Sequence, residues 1–196
     1  LYEAPVPPQQ EQAPRPFDVI DPEVPCVAIS GTNGKTTTTR LIAHCAQTAG
    51  LSTAWSSTDG VFRDGRLVES GDYSGPGGAR RVLSEPGVEF AVLETARGGL
   101  LLRGMSVSRV DVAVVTNVAA DHLGSHGINT VEQLAMVKAT VVRIVDVDGW
   151  TVLNADEPLV RHMAEQSAGH IWFFGLDSPP KGERFPTVRD GRVIVG

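Results

Sequence analysis

The sequence predicts an α/β fold: a mostly parallel sheet flanked by helices around a P-loop-type phosphate loop, with a small peripheral hairpin. Three observations predict it. Short apolar runs alternate with longer amphipathic ones from residue 26 onward, a glycine loop separates the first run from the first amphipathic segment, and Asp-Gly pairs punctuate short β-like runs.

In chain order, "CVAIS" (26–30) is a buried strand and the glycine loop follows it. Residues 35–49 form a helix with Leu41, Ile42, Cys45 and Ala49 on its apolar face, stopped by Gly50. "STAWSS" is the next strand, and "VFRDGRLV" a hairpin turning at Asp64-Gly65. Residues 70–78, "SGDYSGPGG", form a glycine-rich loop before a helix near 78–84. The strand "EFAVLE" (89–94), the loop "TARGGLLLRG" and the strand "DVAVVTN" (111–117) come next. A helix over 130–145 opens with Thr130 and Gln133 in capping-box spacing. The strand 150–154, a helix over 156–166, the strand "HIWFFG" and a hairpin at Asp190-Gly191 complete the series.

Hydrophobic residues make up 41% of the 196 and charged residues 20%, enough for one domain with a sizeable core, or one and a fragment. A net charge of −6 argues against a general nucleic-acid or membrane-surface binder, which needs a basic footprint. No apolar run approaches the roughly 20 residues of a membrane span, and the start lacks a signal-peptide layout. The two cysteines, Cys26 and Cys45, have no ligand-like spacing and are expected to be buried thiols in a reducing cytoplasm. Seven of the 13 prolines fall within the first 25 residues, and residue 1 is Leu. This predicts a Pro/Gln-rich linker over 1–24, a nucleotide-binding domain over 25–176, and a tail over 177–196 that begins another domain, all cut from a longer polypeptide.

The chemistry starts at "AISGTNGKTTTTR" (28–40). A Walker A loop wants a glycine five positions before its Gly-Lys pair, and here that position is Ile29. Gly31, Thr32, Asn33, Gly34, Lys35, Thr36 and Thr37 still lie between a strand and a helix, where N–H groups and the helix dipole favour a phosphate. Lys35 can neutralise β- and γ-phosphate oxygens, and the Thr36 hydroxyl can bind Mg²⁺. Glu94 ends a strand at the edge where open α/β sheets place ligands, and reads either as a metal carboxylate or as a surface glutamate. His122, in "TNVAADHLG", has a similar address; Asp121 would orient that loop, and His126 reads as a solvated histidine. Lys138 by itself reads as a surface lysine. Asn154 and Asp156, in "LNADEP", either hydrogen-bond a base or sugar or cap the following turn.

Taken in order, GTNGKT, Glu94, DHLG, Lys138 and NADEP resemble the ATP-binding central domain of the Mur ligases and folylpolyglutamate synthetases, whose phosphate loop dispenses with the first Walker glycine. "GDYSGP" and "LETARGGLLLRG" narrow the resemblance to the Mur-like module of the cyanophycin synthetases. It implies an ATP-dependent ligase that forms an acyl phosphate on a carboxylate and joins an amine to it, with arginine as the amine and the polyaspartate backbone as the acceptor. It also implies ATP and Mg²⁺ as cofactors, Thr36, Glu94 and His122 on the metals, and Lys138 carbamylated as a catalytic group beside Lys35 and His122. An ATP-grasp domain upstream and a ligase domain downstream complete the parent chain, and a homo-oligomer stays open. Arg97, with Arg103, is a candidate for the acceptor carboxylates, against a solvated face. The alternatives are a Mur- or folylpolyglutamate-type ligase using another acid and amino acid, and a non-catalytic nucleotide-binding module.

Overall fold

The computed structural model describes residues 19–120, 123–124, 127–176, 186–189 and 192–195. Asp121, His122 and His126 therefore lie outside the described residues, as do the side chain of Arg103 and the turn expected at Asp190-Gly191.

The strands β1 (Cys26–Ser30), β2 (Thr53–Ser57), β3 (Gly60–Arg63), β4 (Arg66–Ser70), β5 (Phe90–Glu94), β6 (Val110–Val115), β7 (Val145–Asn154) and β8 (His170–Phe174) form one sheet in the order β4-β3-β2-β5-β1-β6-β7-β8. From β2 to β8 the neighbours run parallel, and β3 and β4 add an antiparallel edge. β1 is buried along its whole length between β5 and β6, as its unbroken apolar run requires. This central position sets the site, because the loops leaving the C-terminal ends of β1, β5 and β6 converge at one edge of the sheet. β9 (Pro186–Arg189) and β10 (Arg192–Val195) pair antiparallel as the separate small hairpin.

The helices depart from the expected pattern in several places. α1 (Lys35–Thr48) buries Thr39, Ala43 and Ala46, whereas Leu41 is 60% exposed and Cys45 and Ala49 are also exposed. The contact face is built of small residues that let the helix lie close on Val27, Ile29 and Val92, with Ile42 packed beside them as expected and Leu41, Cys45 and Ala49 outside it. Only Cys26 is a buried thiol. α2 (Pro76–Leu83) starts two residues early, with Pro76 at the first turn, where its missing N–H costs nothing. The expected loop 95–104 contains α3 (Arg97–Arg103), ended by Gly104 at φ +66°.

The expected helix over 130–145 is instead α4 (Val131–Lys138), a break at Ala139 and α5 (Thr140–Arg143). Its capping box is present as predicted, with Thr130 accepting from the Gln133 N–H and Gln133 accepting in return. The helix is cut short because β7 begins at Val145: Val110 pairs with Val145, Val112 with Trp150, and the residues between bulge out. The helix expected over 156–166 is α6 (Pro158–Arg161) followed by a 3-10 turn, His162–Gln166.

Candidate active site

Gly31 and Gly34 shape the phosphate loop. A Cβ on Gly31 would lie 1.9 Å from Thr116 Oγ1, and φ values of +149° and +83° at the two positions suit glycine alone. The loop enters α1 with no side-chain cap and no acid in the first turn, which leaves the positive end of the helix to an anion. Lys35 Nζ, at the start of α1, donates to the Thr32 carbonyl at 2.9 Å.

A clamp that sequence reasoning missed holds the loop from β6. Asn117 Oδ1 accepts from the Asn33 N–H at 2.8 Å, and Asn117 Nδ2 donates to the Asn33 carbonyl at 3.0 Å. Thr116 Oγ1 donates to the same carbonyl at 2.6 Å, and the Thr32 N–H donates to the Asn117 carbonyl at 3.0 Å. The available signal was the Thr-Asn pair directly after an apolar strand beside β1.

Glu94, 2% exposed at the end of β5, accepts from Thr36 Oγ1 at 2.8 Å. Burial pushes its carboxyl above the ordinary value and Asp72 adds to the shift, while the Thr36 hydroxyl, the Lys35 charge and the Thr58 N–H oppose it. Lys138 is not the surface lysine that its residue type alone suggests. The residue is 3% exposed, and its Nζ donates to the Gly31 carbonyl at 2.7 Å. One cleft of about 230 Å³ brings Gly31, Lys35, Lys138 and Arg97 together with Asp72 and Thr58.

Asn154 and Asp156 stand apart from that cleft. Asn154 Nδ2 donates to the Thr116 carbonyl at 3.0 Å and its Oδ1 accepts from the Asp156 N–H, while Asp156 Oδ2 accepts from the Leu176 N–H at 2.7 Å. Both therefore order the turn after β7. Glu157, unremarked in the sequence, accepts from the Val118 N–H at 2.8 Å and ties that turn to the clamp.

The donor set fits a nucleotide with Mg²⁺. A hydroxyl and a carboxylate in contact beside an uncapped helix start are hard oxygen donors, and such an ion completes its shell with phosphate oxygens and water. Among the described residues no group of three His, Cys, Asp or Glu gathers at one point. Among the described residues no helix is long and apolar enough to cross a membrane.

The model of the Mur ligase middle domain matches residues 29–192. The chain belongs to this family. The cyanophycin synthetase of Crocosphaera subtropica is 51% identical to it over 172 residues, 88% of this chain and 20% of that protein. The Mur ligase middle domain described here thus spans about a fifth of that relative's length. Among solved structures, a UDP-N-acetylmuramoyl-L-alanyl-D-glutamate–2,6-diaminopimelate ligase matches with a TM-score of 0.67 at 24% identity, covering 86% of this chain and 34% of that one. A bifunctional folylpolyglutamate synthase/dihydrofolate synthase with Mn, AMPPNP and L-glutamate bound gives 0.60 at 20% identity, covering 88% and 48%. These structural likenesses establish the α/β fold of the Mur ligase middle domain for this chain.

Proposed function

We propose that this domain binds Mg-ATP within a longer ligase that makes an amide bond by way of an acyl phosphate. The observation that carries the reading is the contact between Thr36 Oγ1 and Glu94 Oε2 at 2.8 Å, beside a glycine loop whose own carbonyl holds the buried Lys138 amine. Bound Mg²⁺ would supply charge neutralisation between phosphate oxygens. Thr36 and Glu94 would hold one ion and His122 a second, while Lys35 and the loop N–H groups hold the β- and γ-phosphates. The γ-phosphoryl group then passes to an acceptor carboxylate oxygen as its bond to the β-phosphate oxygen breaks. An amine nitrogen attacks the acyl carbon, and phosphate leaves as the C–N bond forms. Carbamylation of Lys138 by CO₂ would replace a cation with an anionic group on the metal side of the cleft.

The 51% identity with a cyanophycin synthetase supports arginine as the amine and the β-carboxylate of an aspartate polymer as the acceptor. Arg97, on the cleft wall, would receive acceptor carboxylates by charge-assisted hydrogen bonds, with Arg103 from the same helix. Asn154 and Asp156 would act on the nucleotide side through the turn they order. Residues 1–24 would be a linker and residues 25–176 the ATP-binding unit of a cytoplasmic enzyme, flanked by an ATP-grasp domain and a C-terminal ligase domain.

The test is phosphate release from Mg-ATP by the full-length polypeptide with a short aspartate polymer, comparing arginine, lysine, glutamate and no amino acid. Release is expected to require both the acceptor and arginine. Another productive pair would move the substrate, and no release with any pair would leave a nucleotide-binding module. Lys138→Ala should abolish ligation, and added short-chain carboxylates should restore part of it. Normal activity in that variant would remove the carbamate role.

A further inference from the structure

We infer that Asp72 binds the incoming amine, which arrives as an ammonium cation; the inference rests on the ligase reading above. Lys35 and Arg97 line the cleft as cations, Lys138 is the amine that the ligase reading carbamylates on its metal side, and Asp72 is the one acidic residue among the described lining. Phosphates and acceptor carboxylates are anions that this carboxylate repels, and the metal has Thr36 and Glu94. The amine is the remaining reactant whose charge suits it.

The local geometry presents that charge. Asp72 Oδ1 accepts from the Ser74 N–H at 3.0 Å and from Ser74 Oγ at 2.6 Å, a turn that uses one carboxylate oxygen. Among the described residues no ion pair takes up the other oxygen's charge. The residue is exposed, yet its loop is fixed. The Tyr73 N–H donates to the Ser57 carbonyl at 2.9 Å, and the Ala96 N–H donates to the Ser74 carbonyl at 2.7 Å.

Backbone packing completes the lock. A Cβ on Gly99 would lie 2.9 Å from Gly75 Cα and 2.8 Å from Pro76 Cδ, so only glycine lets α3 approach the Asp72 loop this closely. Asp72 and Arg97 therefore stand on two segments held rigidly against each other, one sign of charge on each. Such preorganisation would bring an anionic acceptor and a cationic amine to one point without further ordering cost. The glycine-rich loop 70–78 is thereby assigned to the amine.

Asp72→Asn in the full-length ligase is the test, because the amide oxygen can still accept both Ser74 bonds. The KM for the amine should rise about tenfold or more, as expected for losing a charge-assisted hydrogen bond. The KM values for ATP, Mg²⁺ and acceptor should stay within about twofold, and acceptor-dependent ADP formation in a single turnover without amine should persist. Asp72→Glu, which keeps the charge, should recover most of the affinity. An unchanged amine KM in Asp72→Asn would overturn the inference, as would a parallel rise in the Mg²⁺ or ATP requirement. A wild type that forms no ADP with acceptor would remove the ligase reading and the inference together, whereas a working wild type with an indifferent Asp72→Asn removes the inference alone.

Discussion

Glu94 reaches the phosphate loop at the cost of burial, and the cost has a pH signature. Its carboxyl is held above the ordinary value chiefly by desolvation, so between the unfolded and folded values the native state carries more protons than the unfolded chain. The stability contributed by the protonated form is present below the unfolded value and is lost as pH rises through the folded one. Denaturant titrations of wild type and Glu94→Gln from about pH 4 to about pH 8 should therefore show the variant gaining on the wild type as pH rises. A constant difference between the two curves would mean that Glu94 takes up no extra proton on folding. Gly31, Lys35 and Thr36 were legible from their place between a strand and a helix, whereas Glu94 read equally as a surface glutamate until its burial against Thr36 is seen. The depth of Lys138 was not legible, since lysines are ordinarily exposed and this one is drawn inward by a carbonyl 107 residues away in sequence. Asn117 escaped for a similar reason, because its partner Asn33 is 84 residues distant.

Local signals decide how an element begins better than how it faces or ends. The Thr130–Gln133 box opens α4, the helix that carries Lys138 at its last position, and both reciprocal hydrogen bonds are made. Thr130→Ala should cost about 1 kcal/mol of stability, read as a lower denaturation midpoint at unchanged slope. A variant indistinguishable from wild type would mean that tertiary packing alone fixes this helix. By contrast, the end of the helical segment is set by the pairing of Val145 with Val110, which no local pattern announces. α3 was hidden by its two glycines, which look like loop residues until Gly75 is seen pressed against Gly99. The contact face of α1 was misread because closeness to the sheet favours Ala43 and Ala46 over the bulkier Leu41.

At the scale of the whole molecule, the alternation of short apolar and longer amphipathic runs was enough for the fold class, since a chain of that rhythm has few compact arrangements other than a covered parallel sheet. Strand order was not contained in it. That β1 lies between β5 and β6 follows from crossovers of tens of residues, and this order alone brings the phosphate loop, Glu94 and the Thr116–Asn117 clamp to one edge. The shift of α1 onto its small residues also leaves Cys45 on the outer surface, about 15 Å along the axis of the helix that Lys35 opens. Cys26, the only other thiol in the sequence, is sealed in β1, where burial and then Asp111 push it up to about 12. A maleimide dye should therefore label the native chain once, at Cys45, and twice after unfolding, as counted by mass spectrometry. Two labels on the native chain would contradict the buried position of Cys26. A single label at Cys45 would equip the chain with a fluorescent reporter on the same rigid rod as the phosphate loop, so that nucleotide binding could be followed by light without altering any residue.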